Sequence, residues 1–148
     1  MLRFYTVRIL FAALLLLGVR TFSFGQTDPI ERLWYNEEGS AKIKIYTAKD
    51  GKLYGMIVWL KEPNRDGKPK LDFRNTDKSK RNDPVMGLLI LKKFKKDGQN
   101  HYEDGTIYDP KNGKTYSCKM TLEGDKLNVR GYIGFSLIGR TTVWTKAD

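Results

Sequence analysis

From Thr115 onward the side chains alternate, with Tyr116, Cys118, Met120 and Leu122 on one face and Thr115, Ser117, Lys119 and Thr121 on the other. Successive strand side chains project to opposite faces, so this segment reads as a strand with one buried and one wet face. Gly124-Asp125 tolerates the positive φ of a tight hairpin. The return strand puts Leu127, Val129, Gly131 and Ile133 toward the core and Lys126, Asn128, Arg130 and Tyr132 outward. Upstream, Asp109-Pro110-Lys111-Asn112-Gly113 is a turn by composition, because proline presets φ and glycine supplies a left-handed residue. Gly105–Asp109, Lys114–Leu122 and Lys126–Ile133 are therefore expected to form an antiparallel meander. Gly134–Gly139 reads as a bend at a sheet corner and Arg140–Lys146 as the closing strand.

The same alternation appears earlier in the chain. Ala41–Thr47 sets Ile43 and Ile45 against Lys42 and Lys44, and Asp50-Gly51 marks a hairpin turn. Leu53–Leu60 is apolar on both faces, as expected of a central strand covered on each side or lining a cavity. Residues 61–83 break the pattern with eight basic and five acidic residues and two prolines, and read as one long irregular loop. Loops of that length in small domains are usually functional or mobile. Pro84–Lys96 resumes as a strand, followed by an Asp97-Gly98 turn. Asp28-Pro29-Ile30-Glu31 has the chemistry of a helix start, with Asp as N-cap, Pro at the first position and Glu at the third. The pattern predicts an all-β domain of about seven to nine antiparallel strands, entered through a short N-terminal helix.

The first 25 residues stand apart. Arg3 and Arg8 precede an apolar run, Ile9–Val19, and Ser23-Phe24-Gly25 offers small residues for cleavage. This is the pattern of a secretory signal peptide, and the run falls short of the ~20 residues that span a bilayer. No cysteine stands near its end to accept a lipid anchor. The expected domain is residues 26–148, exported to the periplasm or secreted after cleavage near Gly25-Gln26, with no transmembrane segment. Removing residues 1–25 takes away Arg3, Arg8 and Arg20 from the 27 basic residues and none of the 17 acids, so the formal net charge falls from +10 to +7. The single cysteine, Cys118, lies on the apolar face of its strand, so the fold relies on packing without a disulfide.

The chemistry-bearing residues form no catalytic set. His101 is the only histidine and sits beside a turn, and one thiol and one imidazole do not make a zinc site. The oxygen-rich run Asp72, Asn75, Asp77, Asn82 and Asp83 departs from the EF-hand order and suits Asx turns instead. No metal or cofactor is expected. Lys92-Lys93-Phe94-Lys95-Lys96 and the basic loop make a positive surface, and export turns that surface away from nucleic acid toward anionic lipid or polysaccharide. Aromatic residues recur on nearly every strand, and in a barrel some of these rings must meet in a shared interior.

The segments GTIYDPKNGKTYSCKM, LNVRGYIGFSLIGRTTVW and KIKIYTAKDGKLYGMIVWLKEP, with R-x-D-P-V-x-G-L at Arg81–Leu88, resemble the exported bacterial family called domain of unknown function 2147. The resemblance covers almost the whole chain after the leader. It implies a single small up-and-down β-barrel of lipocalin or calycin type with a short N-terminal helix. Where the family carries Gly-x-Trp at the barrel entrance this chain has Arg32-Leu33-Trp34, and where members often carry Asn-Pro it has Asn75-Thr76. By analogy with lipocalins, Arg140 or Arg130 from a late strand would cover Trp34.

Together these readings predict a non-enzymatic exported barrel that binds a small, mostly apolar ligand. The candidate ligand residues are Trp34, Tyr54, Trp59, Tyr108, Tyr116, Arg130, Tyr132, Arg140 and Trp144, with Asp72, Asn75 and Arg81 on the loop at the mouth. The competing reading is a cell-envelope structural or interaction protein with a filled barrel and a basic face on anionic lipid or polysaccharide. An enzyme is a third reading, and would need Tyr108, Asp109, Tyr116 and Arg130 to converge.

Overall fold

A computed structural model of the chain describes residues 27–147. The expected leader and its cleavage site near Gly25-Gln26 lie outside the described residues. The strands are β1 Leu33–Tyr35, β2 Ala41–Thr47, β3 Leu53–Leu60, β4 Asn64–Arg65, β5 Lys68–Pro69, β6 Leu89–Asp97, β7 His101–Asp109, β8 Lys114–Glu123, β9 Lys126–Tyr132 and β10 Gly139–Lys146. Eight of them close a barrel in the order β1-β10-β9-β8-β7-β6-β3-β2, every neighbour antiparallel. Closure leaves no unpaired edge in the main sheet. Among the described residues, no helix is long and apolar enough to cross a membrane.

The inward faces follow the period of two. Cys118, Met120 and Leu122 of β8 meet Leu127 and Val129 of β9, all buried, across the register Met120↔Val129 and Leu122↔Leu127. Ile43 and Ile45 of β2 and Leu53 and Ile57 of β3 supply the opposite wall. One expected core residue does not belong there. Ile133 is 66% exposed, because β9 ends at Tyr132 and the chain turns at Gly134, whose φ is +69°.

One half of the barrel is packed solid. Trp34, Ile30, Phe94, Tyr102 and Leu127 are completely buried there. Two strand glycines receive neighbouring side chains: a Cβ on Gly105 would fall 2.4 Å from the Phe94 ring, and one on Gly55 2.8 Å from a Leu91 methyl. The register of β7 shifts between Tyr102 and Gly105, where Asp104 takes a positive φ of 58°. A bulge adds a residue without a partner, so both Tyr102 and Gly105 still face inward.

The expected N-terminal helix is absent among the described residues, and a single turn takes its place. Asp28 does cap as its chemistry suggests, accepting the Ile30 amide at 3.2 Å, and its carbonyl accepts the Glu31 amide at 2.8 Å. The turn then stops, because its groups are committed to the barrel. The Ile30 carbonyl accepts the Trp34 indole N–H at 2.9 Å, while the Asp28 carboxylate accepts the Tyr102 hydroxyl and the Lys96 ammonium. Burial alone would raise the Asp28 carboxyl, but its bonds from Lys96, Tyr102 and the Ile30 amide outweigh that and hold it below the usual carboxylate range.

Residues 61–83 also carry more order than expected. They hold the β4–β5 hairpin, a short 3-10 turn at Lys78–Lys80 and, at their end, a bridge between Leu71 and Pro84. Asn75 and Asp77 each bond a backbone amide two residues ahead, which is the Asx-turn chemistry their composition suggests. The segment expected as a strand from Pro84 begins regular pairing only at Leu89, since Gly87 turns with a φ of +89°.

Candidate ligand site at the open end of the barrel

Toward the opposite end the inward side chains shrink. Along β9 they run Leu127, Val129, Gly131, and a Cβ at Gly131 would touch only Ile107 at 3.4 Å and Tyr116 at 3.7 Å. Space therefore remains where Gly55 and Gly105 leave none. A cavity of about 1450 Å³ opens there. Its floor is aliphatic and aromatic, formed by Ile43, Ile57, Ile90, Ile107, Val129 and Trp144. Among the described residues, every buried side-chain nitrogen or oxygen has a hydrogen-bond partner, so no unpaired polar group points into that floor.

The mouth is polar and its charges are mostly engaged. Arg140 pairs with Glu37 at 2.9 Å, Lys111 with Glu38 at 2.6 Å and Lys70 with Glu62 at 3.5 Å. The hydrogen bond and charge of Lys111 hold the Glu38 carboxyl below its ordinary range. Phe73, half exposed at the rim, has the guanidinium groups of Arg65 and Arg74 each 5.4 Å from its ring centre.

The 61–83 segment is fastened over one side of this mouth. Asp72, 1% exposed, accepts the Tyr108 hydroxyl at 2.7 and 2.8 Å and the Asn75 side-chain amide at 2.7 Å. Burial, then the Asp72 carboxylate, pushes the Tyr108 hydroxyl up, so it stays a donor through the neutral range. Arg74 adds a bond to the Lys111 carbonyl at 2.7 Å, and its own carbonyl lies 1.8 Å from where a Cβ on Gly113 would stand. Only glycine lets the β7–β8 turn come this close to the loop.

The nine expected ligand residues fall into three groups. Tyr108, Tyr116, Tyr132, Arg140 and Trp144 line the cavity. Trp34 lies in the packed half, completely buried. Tyr54, Trp59 and Arg130 point away from the interior. Tyr54 bonds Asp50 at 2.7 Å and stacks on Tyr46, and Trp59 packs edge-on to Tyr35 with the Lys42 ammonium 5.5 Å from its ring. The cause is a bulge: Ile57 and Trp59 oppose the adjacent residues Ile43 and Lys42, which turns Trp59 outward and Leu60 into the cavity. Arg130 braces the β9–β10 loop through the carbonyls of Ser136 and Leu137. On the long loop, Asp72 and Asn75 join the Tyr108 latch and Arg81 bonds the Asn75 carbonyl at 2.8 Å, while Phe73 and Arg74 reach the cavity. The basic cover of Trp34 is likewise local. Arg32 lies 5.9 Å from the indole centre, whereas Arg140 and Arg130 are engaged at the mouth. The residue that departs from Gly-x-Trp thus supplies the cation expected from a late strand.

Sequence reasoning missed the aliphatic floor and Gly131's role in it. Its signal lies in the inward half of the alternation, where Ile43, Val129 and Gly131 face the core. Among the described residues, no cluster of three or more His, Cys, Asp or Glu side chains is placed to hold a metal.

No curated protein matches the chain. Among solved structures it is similar to protein HP1028 from the human pathogen Helicobacter pylori, described as belonging to the lipocalin family. The TM-score is 0.72 at 21% identity, with 82% of this chain and 85% of that chain covered. Likeness at that identity speaks to the fold. The family described as "Uncharacterized protein conserved in bacteria (DUF2147)" matches residues 33–146, and the chain belongs to that family.

Proposed function

We propose that this exported, non-enzymatic barrel binds a small, mostly apolar ligand in the open half of its interior. The observation that carries this reading is the aliphatic floor of the 1450 Å³ cavity, walled by Gly131 where a larger side chain would close it. Ligand pockets are typically apolar clefts of about 300–1,000 Å³ with a few polar groups at fixed places, and this one adds a wide mouth to such a floor. The rim cations Arg65, Lys68 and Arg74 favour a ligand with an anionic or polar end left at the mouth. The lipocalin-like fold supports the reading by analogy. Titrating the chain from Gln26 onward with a fluorescent fatty acid tests it. Saturable binding at one ligand per barrel is expected, and absence of saturable binding contradicts it.

A further inference from the structure

The β9–β10 connection, Ile133–Ile138, projects from the mouth as an apolar tip. Ile133 is 66% exposed, Phe135 81%, Leu137 90% and Ile138 69%. Four large apolar side chains at one loop tip are more than the scattered singles of an ordinary surface. The backbone of the tip is unusual in a second way. The Ile138 carbonyl accepts the Ile133 amide at 3.2 Å and the Phe135 carbonyl accepts the Ile138 amide at 3.0 Å. Arg130 satisfies the two carbonyls between, donating from Nε to Ser136 at 2.8 Å and from Nη2 to Leu137 at 3.2 Å, and it anchors itself on Thr141 Oγ1 at 3.0 Å. All four carbonyls from Phe135 to Ile138 are thus paired within the protein. Paired carbonyls lower the cost of moving the tip into the headgroup–acyl boundary, where hydrogen-bonding partners are fewer than in water.

The surroundings complete the picture. Ile133 and Ile138 also line the cavity, so the tip is continuous with the mouth. Lys61, Arg65 and Lys68 stand on the same mouth and make no ion pair among the described residues. The chain from Gln26 carries a net charge of +7. Apolar side chains at a projecting point with cations behind them match the interfacial zone of an anionic bilayer. A second protein is a poorer occupant, since a stable interface buries ~800 Å² per partner over about 20–30 residues.

We propose that the Ile133–Ile138 tip inserts into the headgroup–acyl boundary of an anionic membrane and seats the mouth of the barrel on it. The docking does not depend on the cavity being a ligand site. If it is one, an apolar ligand passes between membrane and cavity without crossing bulk water.

Vesicle sedimentation of the chain from Gln26 onward, without added ligand, tests this. Vesicles containing phosphatidylglycerol should bind the protein, and those of phosphatidylcholine alone should bind it more weakly. Phe135→Asp with Leu137→Asp should weaken binding at least about tenfold while the melting temperature holds, since neither side chain is packed in the fold. In a Phe135→Trp variant, emission should shift to the blue and be quenched by brominated acyl chains. Failure of the parent protein to bind overturns the proposal. Equal binding by the double Asp variant also overturns it, and would leave only a charge contact through faces such as Lys92–Lys96. A dimer in solution that the same substitutions dissolve would overturn it too, giving the tip to a second copy of the chain.

Discussion

Tyr108 donates its hydroxyl to both carboxylate oxygens of Asp72, at 2.7 and 2.8 Å, and this contact joins the long 61–83 loop to β7. Tyr108→Phe would leave a buried carboxylate with the Asn75 amide as its remaining side-chain donor. Under-satisfied buried polar groups cost about 1–3 kcal/mol. The expected result is a modest drop in melting temperature with faster proteolysis inside residues 61–83. Cleavage at the parent rate would mean that the latch does not hold the loop.

Excising the outer part of that loop, from Asn64 to Arg81, removes Asp72 together with its partners on the loop. Tyr108 stays behind on β7, but with the loop gone its hydroxyl opens to water, which takes the place of Asp72. The barrel should therefore still fold, with weaker retention of a fluorescent fatty acid because Phe73, Arg74 and the rim cations are gone. An unfolded product would make the loop a structural part of the barrel.

Trp34 is completely buried, and its indole N–H is tied to the Ile30 carbonyl. Trp34→Ala should cost about 3–5 kcal/mol through the cavity it leaves. Arg32→Ala, which removes the cation 5.9 Å away and its ion pair with Asp125 without adding a glycine, should cost about 0.5–1 kcal/mol. Denaturant unfolding of both variants checks the ratio, and a near-equal cost would mean that the cation is part of the plug.

Alkali should find the buried acids. Burial pushes the Cys118 thiol from 9.0 up to about 12 and, with Asp28 beside it, pushes the Tyr102 hydroxyl up as well. Groups whose folded value is raised contribute stability that is complete below the unfolded value and lost as pH rises. Stability is thus expected to hold to about pH 9, then to fall as the unfolded chain loses thiol and phenol protons first. Cys118→Ala should flatten the part between 9.0 and about 12. A decline with the same slope in that variant would assign the loss elsewhere. At neutral pH a thiol reagent should label Cys118 only as fast as the barrel opens.

Much of this architecture is legible in the chain because alternation is a local property. Tyr116 to Leu122 and Leu127 to Gly131 show their inward faces directly, and Asp97-Gly98 and Gly124-Asp125 announce their turns. What escapes is set by neighbours. The bulge that turns Trp59 outward exists because β3 must match β2, and nothing in LYGMIVWL alone marks it. The N-terminal segment has a helix cap's chemistry, yet Tyr102 and Lys96 claim the Asp28 carboxylate from distant strands and the nearby Trp34 indole claims the Ile30 carbonyl. Gly131 is the sharpest case. In sequence it is one more glycine facing inward, as are Gly55 and Gly105, and only packing reveals that those two are filled and Gly131 is not.

That difference gives the most direct test. Gly131→Leu places a side chain into the cavity from a position where a Cβ meets only ordinary contacts, so the barrel should fold with little change in melting temperature. Titrated with the fluorescent fatty acid beside the parent protein, the variant should bind at least about tenfold more weakly, the loss expected when a ligand's apolar part is displaced. Equal affinity in the two proteins would place any binding outside the barrel and contradict the account.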